Sequence, residues 1–156
     1  MNSRIKELIN PFPGYKILHV SSNPDSFITQ LEEMLNDVEG RLNLAIYGQN
    51  KDSKQGLQYI NNYTNIFRGL PRDHDVVILH ELFSKHEQKS KLLKSTYETL
   101  ANAAYIIILE PKGLMDISNV KEMLYEHEFR AANEIDIIQG YDLIMAKKMH
   151  MWGNGL

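Results

Sequence analysis

The chain has 156 residues, 43% of them hydrophobic and 24% charged, proportions of a globular domain that buries a core without staples. Seventeen basic residues against twenty acidic ones leave a net charge of −3, so no global field would draw in nucleic acid. The absence of cysteine excludes disulfides, thiolate metal sites and cysteine nucleophiles.

The opening "MNSRIKELIN" is charged throughout and has no signal-peptide core. A cytoplasmic setting is therefore the expectation. Residues 1–14 are expected to form a short helix closed by the turn cluster "NPFPG". "YKILHV" (15–20) reads as a buried strand. From Asp25 the apolar residues Phe27, Leu31, Met34, Leu35 and Val38 recur at helical spacing, and Gly40 stops them. "RLNLAIY" is a second strand. The polar, turn-rich stretch 48–63 has room for one short helix, and "TNIF" (64–67) is expected as a brief third strand.

"DVVILHEL" (75–82) is a β-branched run suited to a strand covered on both faces. In "KHEQKSKLLKSTYETLANA", Leu92, Leu93, Thr96 and Leu100 share one face of a long helix. The next strand is "YIIIL", ended by Pro111 and Gly113. The longest apolar run, "AAYIIIL" (103–109), is too short to cross a bilayer, so no membrane partner is expected. Ser118 is placed to cap a further helix bearing Val120, Met123, Leu124 and His127. "EIDII" and "YDLIMA" flank "QG" as a hairpin with an antiparallel last strand. Strands alternating with helices imply a mostly parallel sheet between two helix layers, in one domain spanning 1–156.

This order of parts resembles the class I S-adenosylmethionine-dependent methyltransferase domain, a three-layer, Rossmann-like α/β fold with an antiparallel C-terminal hairpin strand. The resemblance runs from about Tyr15 to Lys148. "YKILHVSSNPDSF" stands at the first strand and cofactor turn, "DHDVVILHELF" at the fourth strand, "LLKSTYETLANAAYIIILEP" at the helix and fifth strand, and "EFRAANEIDIIQGYDLIMAKK" at the hairpin.

The resemblance implies a cofactor, S-adenosylmethionine, and a place for it. In the family an acid ends the first strand and spaced glycines follow, letting the cofactor lie on bare backbone. The matching positions here are His19, Ser21, Ser22, Asn23 and Asp25. A carboxylate that grips the ribose ends the family's second strand, where this chain has Tyr47, Gly48 and Gln49; Asp52 is the nearest acid. Bulk at Ser21, Asn23 and Asp25 implies a degenerate site, although Ser and Asn side chains could still bond the cofactor's amino and carboxylate groups. Read locally, "SNPDSF" is a helix start: Asn23 as N-cap, about 1 kcal/mol, Pro24 at the first helical position and Asp25 at the positive dipole end.

Spacing sorts the other clusters. In "HELFSKHE", His80 and His86 stand six apart rather than the four a zinc-protease helix needs, so no metal site is expected. His80 and Glu81 sit where ligands bind in open α/β sheets, beyond the strand ends, and are the catalytic candidates, with His80 as a general base. His19 is expected to face His80 from the neighbouring strand. Arg68 and Arg72 in "RGLPRDH" could hold an anion at the cleft edge. The tail 149–156, with Met149, His150, Met151 and Trp152 behind Lys147 and Lys148, is expected to pack back on the domain or to dock on a partner.

Three functional readings follow. One is a methyltransferase-like domain with a degenerate S-adenosylmethionine site that binds a protein partner or a small adenosine-type ligand. The second is a working methyltransferase with a variant pocket of Ser21, Ser22, Asn23 and Tyr47. The third is an unrelated doubly wound α/β binding or regulatory protein.

Overall fold

The computed structural model describes residues 4–48 and 57–149, the side chains of Asp25, Ser26 and Leu57 apart. Gln49, Asp52 and the tail beyond Met149 lie outside the described residues. A 3-10 turn at Arg4–Glu7 precedes β1 (Lys16–Ser21), α1 (Asp25–Asn36), β2 (Arg41–Tyr47), β3 (Leu57–Ile60) and β4 (His74–His80). Then come α2 (Lys89–Thr99), β5 (Leu100–Pro111), α3 (Ile117–Glu126), β6 (Phe129–Glu134) and β7 (Tyr141–Lys148).

The seven strands form one sheet in the order β3-β2-β1-β4-β5-β7-β6. β1 pairs in parallel with β2 and with β4, β2 with β3, and β4 with β5. β7 runs antiparallel between β5 and β6. The last strand thus lies inside the sheet and reversed, which disposes of the unrelated doubly wound alternative.

The alternation of side chains along each strand sorts the core into two layers. Ile17, Val76, Ile78, Ile107 and Leu143 meet Phe27, Leu31 and Leu35 of α1, together with Ile5 and Ile9. Leu18, Val20, Val77, Leu79, Ile106 and Ile108 meet Leu92 and Leu93 of α2 and Val120 and Leu124 of α3. β4 and β5 are covered on both faces, and that is why their sequences are unbroken apolar runs rather than alternating ones.

Several local expectations are corrected. The third strand is Leu57–Ile60, not "TNIF"; residues 62–65 instead turn around the Asn62 side chain, which accepts from the Thr64 and Asn65 backbone N–H groups. α2 stops at Thr99, and β5 begins at Leu100. The long side chain of Lys148 reaches back to donate to the carbonyls of Tyr97 and Leu100, supplying cationic donors at the helix's carbonyl end. The strand before the final turn is Phe129–Glu134 rather than "EIDII". α3 is capped by Asp116, which accepts from Asn119 N–H at 3.1 Å, not by Ser118. α1 takes Pro24 as its N-cap residue, with no side-chain cap bond; Asn23 is spent elsewhere, as described below.

Gly40 joins α1 to β2 where nothing larger fits. Its N–H donates to Leu35 O at 2.8 Å, and the next N–H, of Arg41, donates to Tyr15 O at 2.8 Å. A Cβ there would stand 2.5 Å from Tyr15 O and 2.7 Å from a Leu35 methyl. Gly40→Ala is expected to cost about 1–3 kcal/mol as overpacking, read as a lower urea midpoint; an unchanged midpoint would contradict this close approach.

Candidate functional site

The C-terminal ends of β1 and β4 are neighbours, with Ser21 in register with His80. Both strands point the same alternate set of side chains at α1, so His19, Ser21 and His80 converge beneath Phe27. His19 and His80 are fully buried and their rings stack at 5.3 Å, with Phe27 edge-on to His19 at 5.5 Å. His19 Nε2 is 3.1 Å from His80 Nδ1, and Ser21 Oγ is 3.2 Å from the same nitrogen. Asn23 N–H donates to Ser21 Oγ.

The tautomers of His19 and His80 set which group donates, and His19 Nε2 and Ser21 Oγ share the single proton or lone pair of His80 Nδ1. His80 Nε2 faces Glu81 Oε2 at 3.5 Å, within ion-pair range but without a hydrogen bond. The backbone at Glu81 is left-handed, φ 51°, an uncommon conformation for a residue with a side chain. Glu81 Oε2 also accepts from Tyr141 O–H at 2.5 Å and from Asn23 Nδ2 at 3.5 Å.

Burial sets the electrostatics. Desolvation first, and then the neighbouring His80, hold His19 well below the usual imidazole range. Burial pulls His80 down to about 4 against the opposing pull of Glu81. Both rings are neutral at pH 7. Ser21, His80 and Glu81 form a serine–histidine–acid series, but Ser21 has no exposed surface and no substrate carbonyl could reach it. A buried base of such low pKa is likewise poorly matched to proton transfer at neutral pH.

Above this network the β1 loop is fastened to the β4 loop. Ser22 O–H donates to the Glu81 carbonyl, and Lys85 Nζ donates to Ser22 Oγ at 3.0 Å; Ser22 N–H donates to His80 O. At the end of β2, Tyr47 is buried and its hydroxyl donates to Asn65 O at 2.7 Å. Tyr63 stacks on Tyr47 at 5.9 Å, and its hydroxyl sits 3.2 Å from where a Cβ of Gly48 would be. His86 Nε2–H donates to the same Asn65 carbonyl at 2.9 Å, while its Nδ1 accepts from Gln88 N–H. Those bonds make His86 a loop brace. Glu87 N–H donates to Tyr63 O, binding the segment after β3 to the segment after β4.

Set against an adenosyl sulfonium, the described residues at these strand ends do not fit it in this arrangement. A bare main chain is needed after β1 and a carboxylate after β2. Ser22 and Asn23 instead reach across from the first position, and the Tyr63 hydroxyl stands beside Gly48 at the second. Among the described residues no group of three His, Asp or Glu could hold a metal ion.

The positional candidates therefore divide. His19, Ser21, Ser22, Asn23, His80 and Glu81 come together in one bonded set, with Tyr47 and Gly48 at its β2 flank; nothing is described of Gln49 or of the Asp25 side chain. Arg68 and Arg72 are not at this cleft. Arg72 N–H donates to Glu98 O at the far end of α2, and Arg68 N–H donates to the Gln58 side chain, because both precede β4 rather than follow it. Sequence reading missed Tyr63, Lys85, Tyr141 and Glu110. Glu110, next to last in β5, is fully buried, accepts from Ser84 N–H and is pushed up chiefly by burial; an acid closing the run "YIIIL" is the available signal.

No family model matches the sequence, and no curated protein matches it. Among solved structures, an S-adenosylmethionine-dependent methyltransferase from Aquifex aeolicus superposes at TM-score 0.75 with 13% identity, over 94% of this chain and 88% of that one. One from Mesorhizobium loti superposes at TM-score 0.66 with 9% identity, over 94% and 98%. Haemonchus contortus phosphoethanolamine N-methyltransferase 2, in complex with phosphomonomethylethanolamine and S-adenosylhomocysteine, superposes at 0.70 with 9% identity, over 94% of this chain and 51% of its own. Identities this low speak to the backbone and not to the chemistry. With its strand order and reversed β7, the chain has the class I methyltransferase-like fold.

Proposed function

We propose that the chain is a methyltransferase-like domain with a degenerate S-adenosylmethionine site, acting by binding a protein partner or a small ligand rather than by methyl transfer. The observation that carries this reading is the Ser22 bridge. Its hydroxyl joins the β1 loop to the Glu81 carbonyl and accepts from Lys85, in the space where the family lays its cofactor on bare backbone. The Tyr63 hydroxyl beside Gly48, on a ring stacked against Tyr47, supports it from the β2 side. A cofactor would have to break the bridge and displace the Tyr63 hydroxyl, and each step subtracts from binding.

A ligand at about 100 times its dissociation constant stabilises a fold by about 2.7 kcal/mol, which raises the melting temperature of a domain this size by roughly 5–11 °C. Millimolar S-adenosylmethionine or S-adenosylhomocysteine is expected to leave the melting temperature unchanged in scanning calorimetry. A clear rise with either compound, abolished by Ser22→Trp, would sink this reading and establish a working variant pocket.

A further inference from the structure

At the other end of the sheet lies a cavity of about 470 Å³, lined among others by Phe12, Tyr15 and Tyr105 with Asp75, Asn10 and Asn102. Asp75 and His80 stand at opposite ends of β4, five residues and therefore about 16 Å apart, so nothing about this cavity depends on the state of the cofactor cleft. The rings of Phe12 and Tyr15 are 4.7 Å apart at 76°, two walls meeting near a right angle. Phe12 is 53% exposed while Tyr15 is buried, which makes one an open wall and the other a floor.

The cavity is shaped by an irregularity in β5. Pairing with β4 slips between His74↔Leu100 and Val76↔Tyr105, so β5 carries extra residues just there. Ala103, in the bulge, is left-handed at φ 66°, a conformation that costs a residue bearing a Cβ. Bulges and left-handed residues of this kind concentrate where a strand is re-aimed around a site. Here the bulge sets Asn102 and Ala103 on the rim and turns Tyr105 to the cavity.

The charges favour a cation. Asp75 accepts Lys16 N–H through Oδ2 at 2.8 Å, while the Lys16 ammonium is occupied with Asp73 at 3.0 Å. Burial, then Asp75 and Tyr105, push the Tyr15 hydroxyl up to about 12, which keeps that ring neutral. Lys147 Nζ stands 5.9 Å from the Tyr105 ring centre, so this ring already attracts one of the protein's own cations.

We propose that this cavity binds an organic ammonium ion, its methylated head group held against the rings of Phe12, Tyr15 and Tyr105 and balanced by Asp75. Aromatic faces attract cations electrostatically, and a methylated ammonium brings apolar surface without a tightly held hydration shell. Lys147 approaches Tyr105 as a competitor, which sets the affinity in the range of a weak, reversible site.

The test is a titration followed by amide NMR, with choline against its uncharged isostere 3,3-dimethylbutan-1-ol. Choline is expected to give saturable shifts at Asn102, Ala103 and Tyr105, with the alcohol binding at least about two-fold more weakly. Phe12→Leu and Tyr105→Leu keep apolar bulk but lose the ring, and each should weaken choline by about two- to five-fold. Asp75→Asn keeps an acceptor for Lys16 N–H and should weaken it comparably. A blocked trimethyl-lysine amide that binds more tightly than choline points to a modified protein side chain as the source; the reverse points to a free small molecule. Shifts that never appear, that the alcohol matches, or that survive Asp75→Asn combined with Tyr105→Leu would overturn the proposal.

Discussion

Urea midpoints are expected to fall steeply as the pH drops from 6.5 towards 4. His80 titrates at about 4 in the fold because burial disfavours its charged form, whereas an exposed imidazole titrates near 6.5. Between those values the unfolded chain binds a proton that the native state refuses, so stability rises with pH through the window. The contribution is fully present above pH 6.5 and is lost as the pH falls, amounting to about 3 kcal/mol for His80. His19, His74 and His86 are also lowered, each with burial as the largest cause, and steepen the loss. Glu110 acts in the opposite sense, because its raised pKa favours the native state at low pH. One carboxyl is set against four imidazoles, so the net slope keeps its sign.

His80→Leu isolates the effect from ordinary acid denaturation. It leaves His19 Nε2 and the Ser21 hydroxyl without their shared hydrogen-bond partner, so the variant is less stable at pH 7.5. It also removes the titration, so its midpoint changes less with pH and the two profiles approach each other near pH 4.5. Parallel profiles from pH 7.5 to 4.5 would show that the His19–His80 pair is not held neutral by burial.

Phe27→Ala is expected to be among the most damaging single substitutions in α1. Phe27 is fully buried, stands in the first turn of the helix, and packs edge-on to His19 at 5.5 Å and tilted to His80 at 5.4 Å. Removing the ring costs about 3–5 kcal/mol in lost transfer energy and cavity, and lowers the melting temperature by roughly 6–20 °C. The side chain is also the lid over the histidines. Water admitted beside them would relieve their desolvation and draw their titration back towards 6.5, so the acid transition of Phe27→Ala should be shallower than that of the parent. A loss below about 1 kcal/mol would mean that α1 is not anchored through this residue.

These outcomes bear on function because the same residues would have to serve a cofactor. A network that keeps two neutral histidines dry, under an aromatic lid and a bridged loop, is organised for order. That agrees with the proposed binding role, and the cavity proposed for an organic cation lies at the opposite end of the sheet.

The frame of the fold was legible in the amino-acid order. Unbroken Ile/Val/Leu runs such as "DVVILH" and "YIIIL" read as strands covered on both faces, and the stripe Phe27, Leu31, Met34, Leu35 as a helix facing them; patterns of this kind are local and survive without a structure. Short elements were not legible. Leu57–Ile60 is too brief to declare a period, and it is a strand because β2 offers it a partner. The pairing of His19 with His80 was readable as strand-end placement, from strand order alone. What could not be read was the set of bonds made across the sheet ends: Asn23 leaving its cap position for Glu81, Ser22 bridging to Glu81 and Lys85, Tyr63 settling on Tyr47, Tyr141 arriving from β7. Each joins residues far apart in the chain. Hydrogen bonds and ring contacts of that range carry no periodic trace in the sequence, so only the packing of the sheet ends decides whether the cleft is open or tied shut.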